Sequence, residues 1–260
     1  MVWPLRRQRR KRIARICMEG PIAGSTRRRV LKALRQVEEL KFPALLLRID
    51  SPGGTVGDSQ EIHQALMRLR GSGCHVVASY GNISASGGVY VGSAADRVVA
   101  NAGTITGSIG VILRGNNLEK LLERIGIRFE TVKSGPFKDI LSPDKPLGEA
   151  ERGILQALID SSYSQFVSAV AEGRGLSEEV VRGFADGRVF SGAQAKELGL
   201  VDLLGDEDTA RREAARLAGL EEDSRPVDLG KERRGALARL RQGLLLQFGC
   251  SGQALWWFRP

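Results

Sequence analysis

Residues 75–90 read His75-Val-Val-Ala-Ser-Tyr-Gly-Asn-Ile-Ser-Ala-Ser-Gly-Gly-Val-Tyr90, and their reading decides the fold class. The apolar run His75–Tyr80 has the length of a buried strand, and Gly81-Asn82 is a turn signal that ends it. Small residues from Ala85 to Ala95, opened by Ser86-Gly87-Gly88, predict a short helix directly after. The same unit recurs upstream. Ala44–Ile49 reads as a buried strand, stopped by Asp50-Ser51-Pro52-Gly53-Gly54 and followed by a helix through Ile62, Leu66 and Leu69. Ile13–Met18 is a first strand, after which Ser25 or Thr26 caps a helix with Val30, Leu31, Leu34 and Val37 on one face. Downstream, strands are predicted at Arg97–Ala100, Ile109–Leu113 and Arg128–Val132, and helices at Asn117–Ile125, Glu149–Ala171 and Asp208–Leu217. Strand–helix alternation of this kind predicts an α/β fold with mostly parallel strands. No tandem repeat of 20–50 residues is visible.

Composition narrows the class further. Hydrophobic residues make up 42% of the 260 and charged residues 27%, which excludes a disordered tail or a collagen-like fibre. Aromatics are only 5%, so aliphatic side chains must fill the core. Three cysteines (Cys17, Cys74, Cys250) and two histidines have no metal-ligand spacing, so neither a disulfide framework nor a zinc or multi-histidine metal site is expected. The net charge of +9 is local, because Arg6, Arg7, Arg9, Arg10, Lys11 and Arg12 supply most of it. This basic arm reads either as a contact for anionic lipid or nucleic acid or as a solvated tail. Nucleic acid is not expected as a partner, since no basic-plus-aromatic pattern continues into the body. No apolar stretch has the ~20 residues of a bilayer span, and no apolar region follows the basic run as in a signal peptide. A cytoplasmic or peripherally membrane-bound protein is the expectation. The uncharged tail from Gly243 to Phe258, with Trp256-Trp257-Phe258-Arg259 at its end, reads as an interfacial or subunit-packing segment. Three regions result: a basic arm over 1–12, a folded domain over 13–219 and a tail over 220–260.

Three glycine-bearing turns follow predicted strands: Asp50–Gly54, Gly81–Gly88 and Thr106–Gly110. In open α/β sheets ligands bind where strands end in such turns, and glycine lets backbone N–H groups approach them. A phosphate cradle is the competing use, but neither GxxxxGK[ST] nor a clean GxGxxG occurs. Ser86 is the leading nucleophile candidate because it opens a helix after a strand among small neighbours; Ser84 is its rival, and a helix cap is the plain alternative. A serine nucleophile needs a base. His63 and His75 are in no recognisable triad context, and Lys138 in Ser134-Gly-Pro-Phe-Lys-Asp-Ile140 is the alternative. A lysine acts as a base when burial disfavours its charged form, which Phe137 and Ile140 favour and a facing Asp139 would oppose. From the residues alone these choices stay open.

The chain resembles the signal peptide peptidase A family, serine proteases of the Clp protease/crotonase structural class. The resemblance rests on five motifs in order: Asp50-Ser-Pro-Gly-Gly54, Ser84-Ala-Ser-Gly-Gly-Val-Tyr90, Thr106-Gly-Ser-Ile-Gly-Val111, Ser134-Gly-Pro-Phe-Lys-Asp-Ile140, and Ser191-Gly-Ala-Gln-Ala-Lys-Glu-Leu-Gly-Leu-Val-Asp202. It implies a repeated β-β-α spiral with a mostly parallel sheet and a helical C-terminal extension. It also implies a Ser/Lys dyad that needs no metal or organic cofactor: Ser86 as nucleophile, Lys138 as general base and Ser108 orienting the lysine. Gly53 and Gly87 would supply the oxyanion hole, and Gly54, Ile109, Gly110 and Val111 would flank an extended substrate. The implied activity is endopeptidase cleavage of remnant signal peptides or other small unfolded polypeptides. Short members of the family form homo-oligomers in which adjacent subunits contribute the serine and the lysine. Two other readings are kept beside it: a crotonase-like acyl-CoA enzyme, and a membrane-associated scaffold with an inactive protease fold.

Overall fold

The structure, a computed structural model, describes residues 12–230. Its N-terminal half alternates strictly: β1 (Ile13–Glu19), α1 (Gly24–Glu39), β2 (Ala44–Ser51), α2 (Val56–Gly71), β3 (His75–Ala85) and α3 (Gly87–Gly92). Two short strands follow, β4 (Arg97–Ala100) and β5 (Ile105–Gly107), then a small helix α4 (Glu119–Arg124) and the long helix α5 (Glu149–Arg174). The chain continues through α6 (Glu178–Arg182), β6 (Val189–Ser191), α7 (Gly192–Glu197), β7 (Leu203–Leu204), α8 (Glu207–Leu217) and β8 (Val227–Leu229). The strands form one sheet in the order β6-β5-β3-β2-β1-β8, with β4 against β3 and β7 against β4. Every pairing is parallel except β5 with β6. With the helices on its faces this is the expected α/β architecture, a mostly parallel sheet of the Clp protease/crotonase type.

Strand β2 shows why the sheet is central. Ala44, Leu45, Leu46 and Leu47 are all buried, the continuous apolar run of a parallel strand covered on both faces. Alternate side chains serve two cores. Leu45, Leu47 and Ile49 join a large cluster with Val30, Leu34, Ile62, Leu66 and Phe166. Ala44 and Leu46 meet Ala210, Ala214 and Ala215 of α8 on the other face. The alanine stripe lets α8 lie close to the sheet, and replacing Leu46 by Ala would leave a cavity costing about 2–5 kcal/mol.

Several expectations are corrected. Gly81-Asn82 does not end β3, which runs on to Ala85 through an irregularity in register between Ile49 and Ser51 of β2. The Asp50 side chain fills that irregularity: Ile83 N–H donates to Asp50 Oδ1 at 3.1 Å, and a Cβ on Gly81 would lie 2.6 Å from the Asp50 carboxyl carbon. The following helix is therefore only Gly87–Gly92, shorter than the small-residue run suggests. The strand expected at Ile109–Leu113 lies four residues earlier, at Ile105–Gly107. Ile109 is buried, but Ile112 is 81% exposed, so the apolar run leaves the core partway along. Arg128–Val132 forms no strand: Phe129 is exposed and Val132 fully so, and no neighbouring strand pairs with them. The Asn117 helix is trimmed to Glu119–Arg124.

Strand β8 falls within the stretch read as tail and pairs with β1 through Ala14–Val227 and Ile16–Leu229. The basic residues Arg6–Lys11 and the apolar tail Gly243–Phe258 lie outside the described residues. Among the described residues no helix is long and apolar enough to cross a membrane.

Helix α3 sits hard against the sheet. Tyr80 is buried beneath it, and a Cβ on Gly92 would lie 2.2 Å from the Tyr80 hydroxyl. Gly92→Ala is expected to lower stability by about 1–3 kcal/mol through overpacking. Urea unfolding checks this, and the double variant Gly92→Ala, Tyr80→Phe should recover part of the loss.

Candidate active site

Ser86 occupies the single residue between the end of β3 and the start of α3, with φ 52° and ψ −118°. A non-glycine residue in that conformation costs on the order of 1–3 kcal/mol and must be held by its surroundings. The holding bond is visible: Ser86 N–H donates to Gly107 O at 2.8 Å. Ser108 is its counterpart on the neighbouring strand. It also has φ 52°, and its N–H donates to Arg188 O at 2.7 Å. The β3–β5 register pairs Ser84 with Thr106 and Ala85 with Gly107. Ser86 and Ser108 are thus the next residues on each strand, side by side at the carboxyl end of the sheet where parallel α/β folds bind ligands. Among the described residues neither hydroxyl has a hydrogen-bond partner, so both are available.

The Pro52-Gly53-Gly54 turn is pressed against this kink. Gly53 has φ 101°, and a Cβ there would lie 2.7 Å from both Gly87 N and Ser86 Cβ. Only glycine satisfies both constraints. The turn is tied to the first strand's exit: Ile22 N–H donates to Gly53 O at 2.9 Å and Thr55 N–H to Ile22 O at 3.0 Å. The Gly53 N–H itself is buried and donates to Ser51 Oγ at 3.1 Å. Gly54 is exposed, and among the described residues its N–H has no acceptor. Gly87 is the first residue of α3, so its N–H has no preceding turn to bond to. A Cβ on Gly87 would stand 3.3 Å from Gly54 N, which places the Gly54 and Gly87 amides close together.

Beside Ser86 lies a cleft of about 120 Å³, lined by Gly54, Val56, Ser59, Gly87, Tyr90, Gly110, Val111, Ile112, Ser162 and Phe166. It contains no charged side chain. Tyr90 packs against Phe166 with tilted rings, centres 5.1 Å apart, and His63 meets the Tyr90 ring edge-on, also at 5.1 Å. Burial raises the Tyr90 phenol above its ordinary range and lowers the His63 imidazole, so both stay neutral around pH 7.

The rival residues separate cleanly. Ser84 is fully buried beneath the kink. His75 begins β3, eleven residues or roughly 36 Å of strand from Ser86. His63 has its Nε2 buried without a partner and lies behind Tyr90 instead of lining the cleft. Of the expected substrate contacts, Gly54, Gly110 and Val111 line the cleft. Ile109 does not line it: its side chain is buried in the core, and Gly187 N–H donates to its carbonyl at 3.1 Å. Tyr90, Phe166, Ser59 and Ser162 went unnoticed in the sequence as cleft residues. Phe166 follows Ser162 by one helical turn, a spacing that reads equally as core.

Lys138 is elsewhere. It is exposed on the long segment between β5 and α5, lines no part of the cleft, and makes no side-chain hydrogen bond or ion pair among the described residues. Its neighbour Asp139 is strongly engaged. Lys133 Nζ donates to both Asp139 oxygens at 2.7 and 2.9 Å, and Lys145 Nζ donates to Asp139 Oδ1 at 3.0 Å. Lys145 also bonds Glu151 Oε1 at 2.6 Å, and Glu151 Oε2 accepts from Gly148 N–H at 2.9 Å at the start of α5.

Residues 68–221 match the family model for peptidase family S49, a span that contains the Ser86 kink, Ser108 and Lys138. The chain belongs to peptidase family S49. The S49 chain is 59% identical over 243 residues to a Synechocystis sp. protein described as a protease, covering 94% of this chain and 87% of that one. It is 35% identical over 207 residues to an Enterococcus faecium protein described as a signal peptide peptidase, covering 75% of this chain and 60% of the relative. Protease 4 of Salmonella typhi is 37% identical over 203 residues, of which this chain spans 32%. The S49 assignment makes the chain a peptidase. No group of three or more metal-ligating side chains occurs among the described residues.

Proposed function

We propose that the chain is a serine endopeptidase in which Ser86 is the nucleophile and Lys138 of an adjacent copy is the general base. The observation that carries the reading is the conformation of Ser86: a strained serine between strand and helix, with its hydroxyl unpartnered over an uncharged cleft. Within one chain Lys138 stands outside that cleft, exposed and unpaired. The segment that bears it exposes Ile112, Phe129, Val132 and Phe137, apolar surface that a second copy would cover.

The chemistry follows. Neutral Lys138 takes the Ser86 Oγ proton as the oxygen attacks the scissile carbonyl, and Ser108 Oγ orients the amine. The developing oxyanion accepts hydrogen bonds from the Gly87 N–H and from Gly54, a donor one residue beyond the expected Gly53, whose N–H is already given to Ser51. Lys138 then protonates the leaving amine, and later activates the water that releases the acyl group. An extended peptide lies between the Pro-Gly-Gly turn and Gly110–Val111, with an apolar side chain in the cleft. Remnant signal peptides and other small unfolded polypeptides fit that description, and the basic arm would bring the protein to a lipid surface. A crotonase-like acyl-CoA reading lacks a carboxylate among the cleft residues.

A fluorophosphonate probe tests the assignment. Labelling of the assembled wild type, mapped by mass spectrometry to Ser86 and lost in Lys138→Met, is the expected result. Labelling at another residue, or no labelling of a well-assembled protein, would overturn it.

A further inference from the structure

A lysine acts as a base only while it is neutral, and any carboxylate beside it favours the ammonium form. Lys138 has such a carboxylate next to it in sequence, yet Asp139 is turned away and shared between Lys133 and Lys145. These two ammonium groups hold the Asp139 carboxyl down at about 2, so it is ionised and fully engaged at neutral pH. The network ends on Glu151 of α5, which takes up the remaining charge of Lys145. No other charged group contacts Lys138 from its own segment or from α5, and the cleft beside Ser86 contributes none.

We propose that Lys133 and Lys145 are positioning residues: by occupying Asp139 they leave Lys138 without a counter-ion and able to serve as the base. The inference rests on the role of Lys138 given above. It also accounts for a segment that places three lysines within thirteen positions, two of them spent on one aspartate.

The test is the pH dependence of kcat/KM for cleavage of an apolar peptide, which rises with pH as the base loses its proton. In Lys133→Met, Lys145→Met, a released Asp139 can face Lys138 and stabilise its protonated form. The acid limb then moves to higher pH by about one unit, a roughly tenfold loss on that limb with a smaller loss on the plateau. Adding Asp139→Asn to that double variant removes the competing carboxylate and returns the limb to the wild-type position or below. Lys133→Met alone keeps the Lys145–Glu151 pair and should shift the limb in the same direction by less, so the effect is readable even if the double variant fails to assemble. An unmoved limb in both variants, or a limb that stays displaced after Asp139→Asn, overturns the proposal. Lys138→Met separates the two readings. If it is inactive while the limb is unmoved in the others, only the positioning role falls; if it cleaves as well as wild type, the base assignment falls and this inference with it.

Discussion

Ser86→Ala is expected to lower peptide cleavage by on the order of 10⁴-fold or more, since residues of a nucleophile–base unit lose nearly all their benefit together. The loss should appear in kcat, with KM for an apolar peptide little changed, because the cleft walls remain. Folding should be unaffected or slightly improved in urea. The serine side chain makes no hydrogen bond among the described residues, and the kink is held by its backbone N–H on Gly107. Ser84→Ala is the matched control. Ser84 is the neighbouring serine in the same motif but is fully buried and lines no part of the cleft. Its removal should leave cleavage within a few-fold of wild type. Comparable losses in the two variants would mean that the motif, and not the Ser86 hydroxyl, had been damaged.

Lys138→Ala is expected to be as inactive as Ser86→Ala, and mixing the two inactive proteins should restore cleavage. If the pair forms between adjacent copies, an interface with an intact serine from one chain and an intact lysine from the other arises at random. Equimolar mixing, with subunit exchange by brief denaturation and refolding, would then recover roughly a quarter of wild-type activity. A pair formed within a single chain gives no recovery, because each chain lacks one member. Both outcomes are read from one progress curve, and light scattering confirms that the mixed oligomers have the wild-type size.

Much of this architecture is legible in the sequence. The β1, β2 and β3 runs are continuous apolar segments ending in glycine turns, and those turns converge on Ser86 as expected. What escapes a linear reading is set by pairing and by what covers a surface. Gly81-Asn82 carries the composition of a turn, yet the Asp50 side chain fills the irregularity and the strand continues. Ile109–Leu113 and Arg128–Val132 have the apolar content of strands, but Ile112, Phe129 and Val132 are exposed within one chain, so periodicity there does not report a sheet. Nor could residue order show that the Gly53 N–H is given to Ser51 Oγ while the Gly54 N–H has no acceptor among the described residues. Lys138 is recognisable only by its motif. The exposure of Lys138 away from the cleft lining, and the pairing of Asp139 with Lys133 and Lys145, are tertiary facts with no signature in residue order.

The distance between the Ser86 cleft and the exposed Lys138 has a consequence for control. Each chain folds with its nucleophile already in its kinked conformation but without a base in reach, so on the proposed reading a lone chain is a latent enzyme. Specific activity then depends on protein concentration, falling on dilution below the dissociation constant of the assembly and returning on reconcentration. On the same reading, a freshly synthesised chain stays harmless to unfolded neighbours until it meets a second copy.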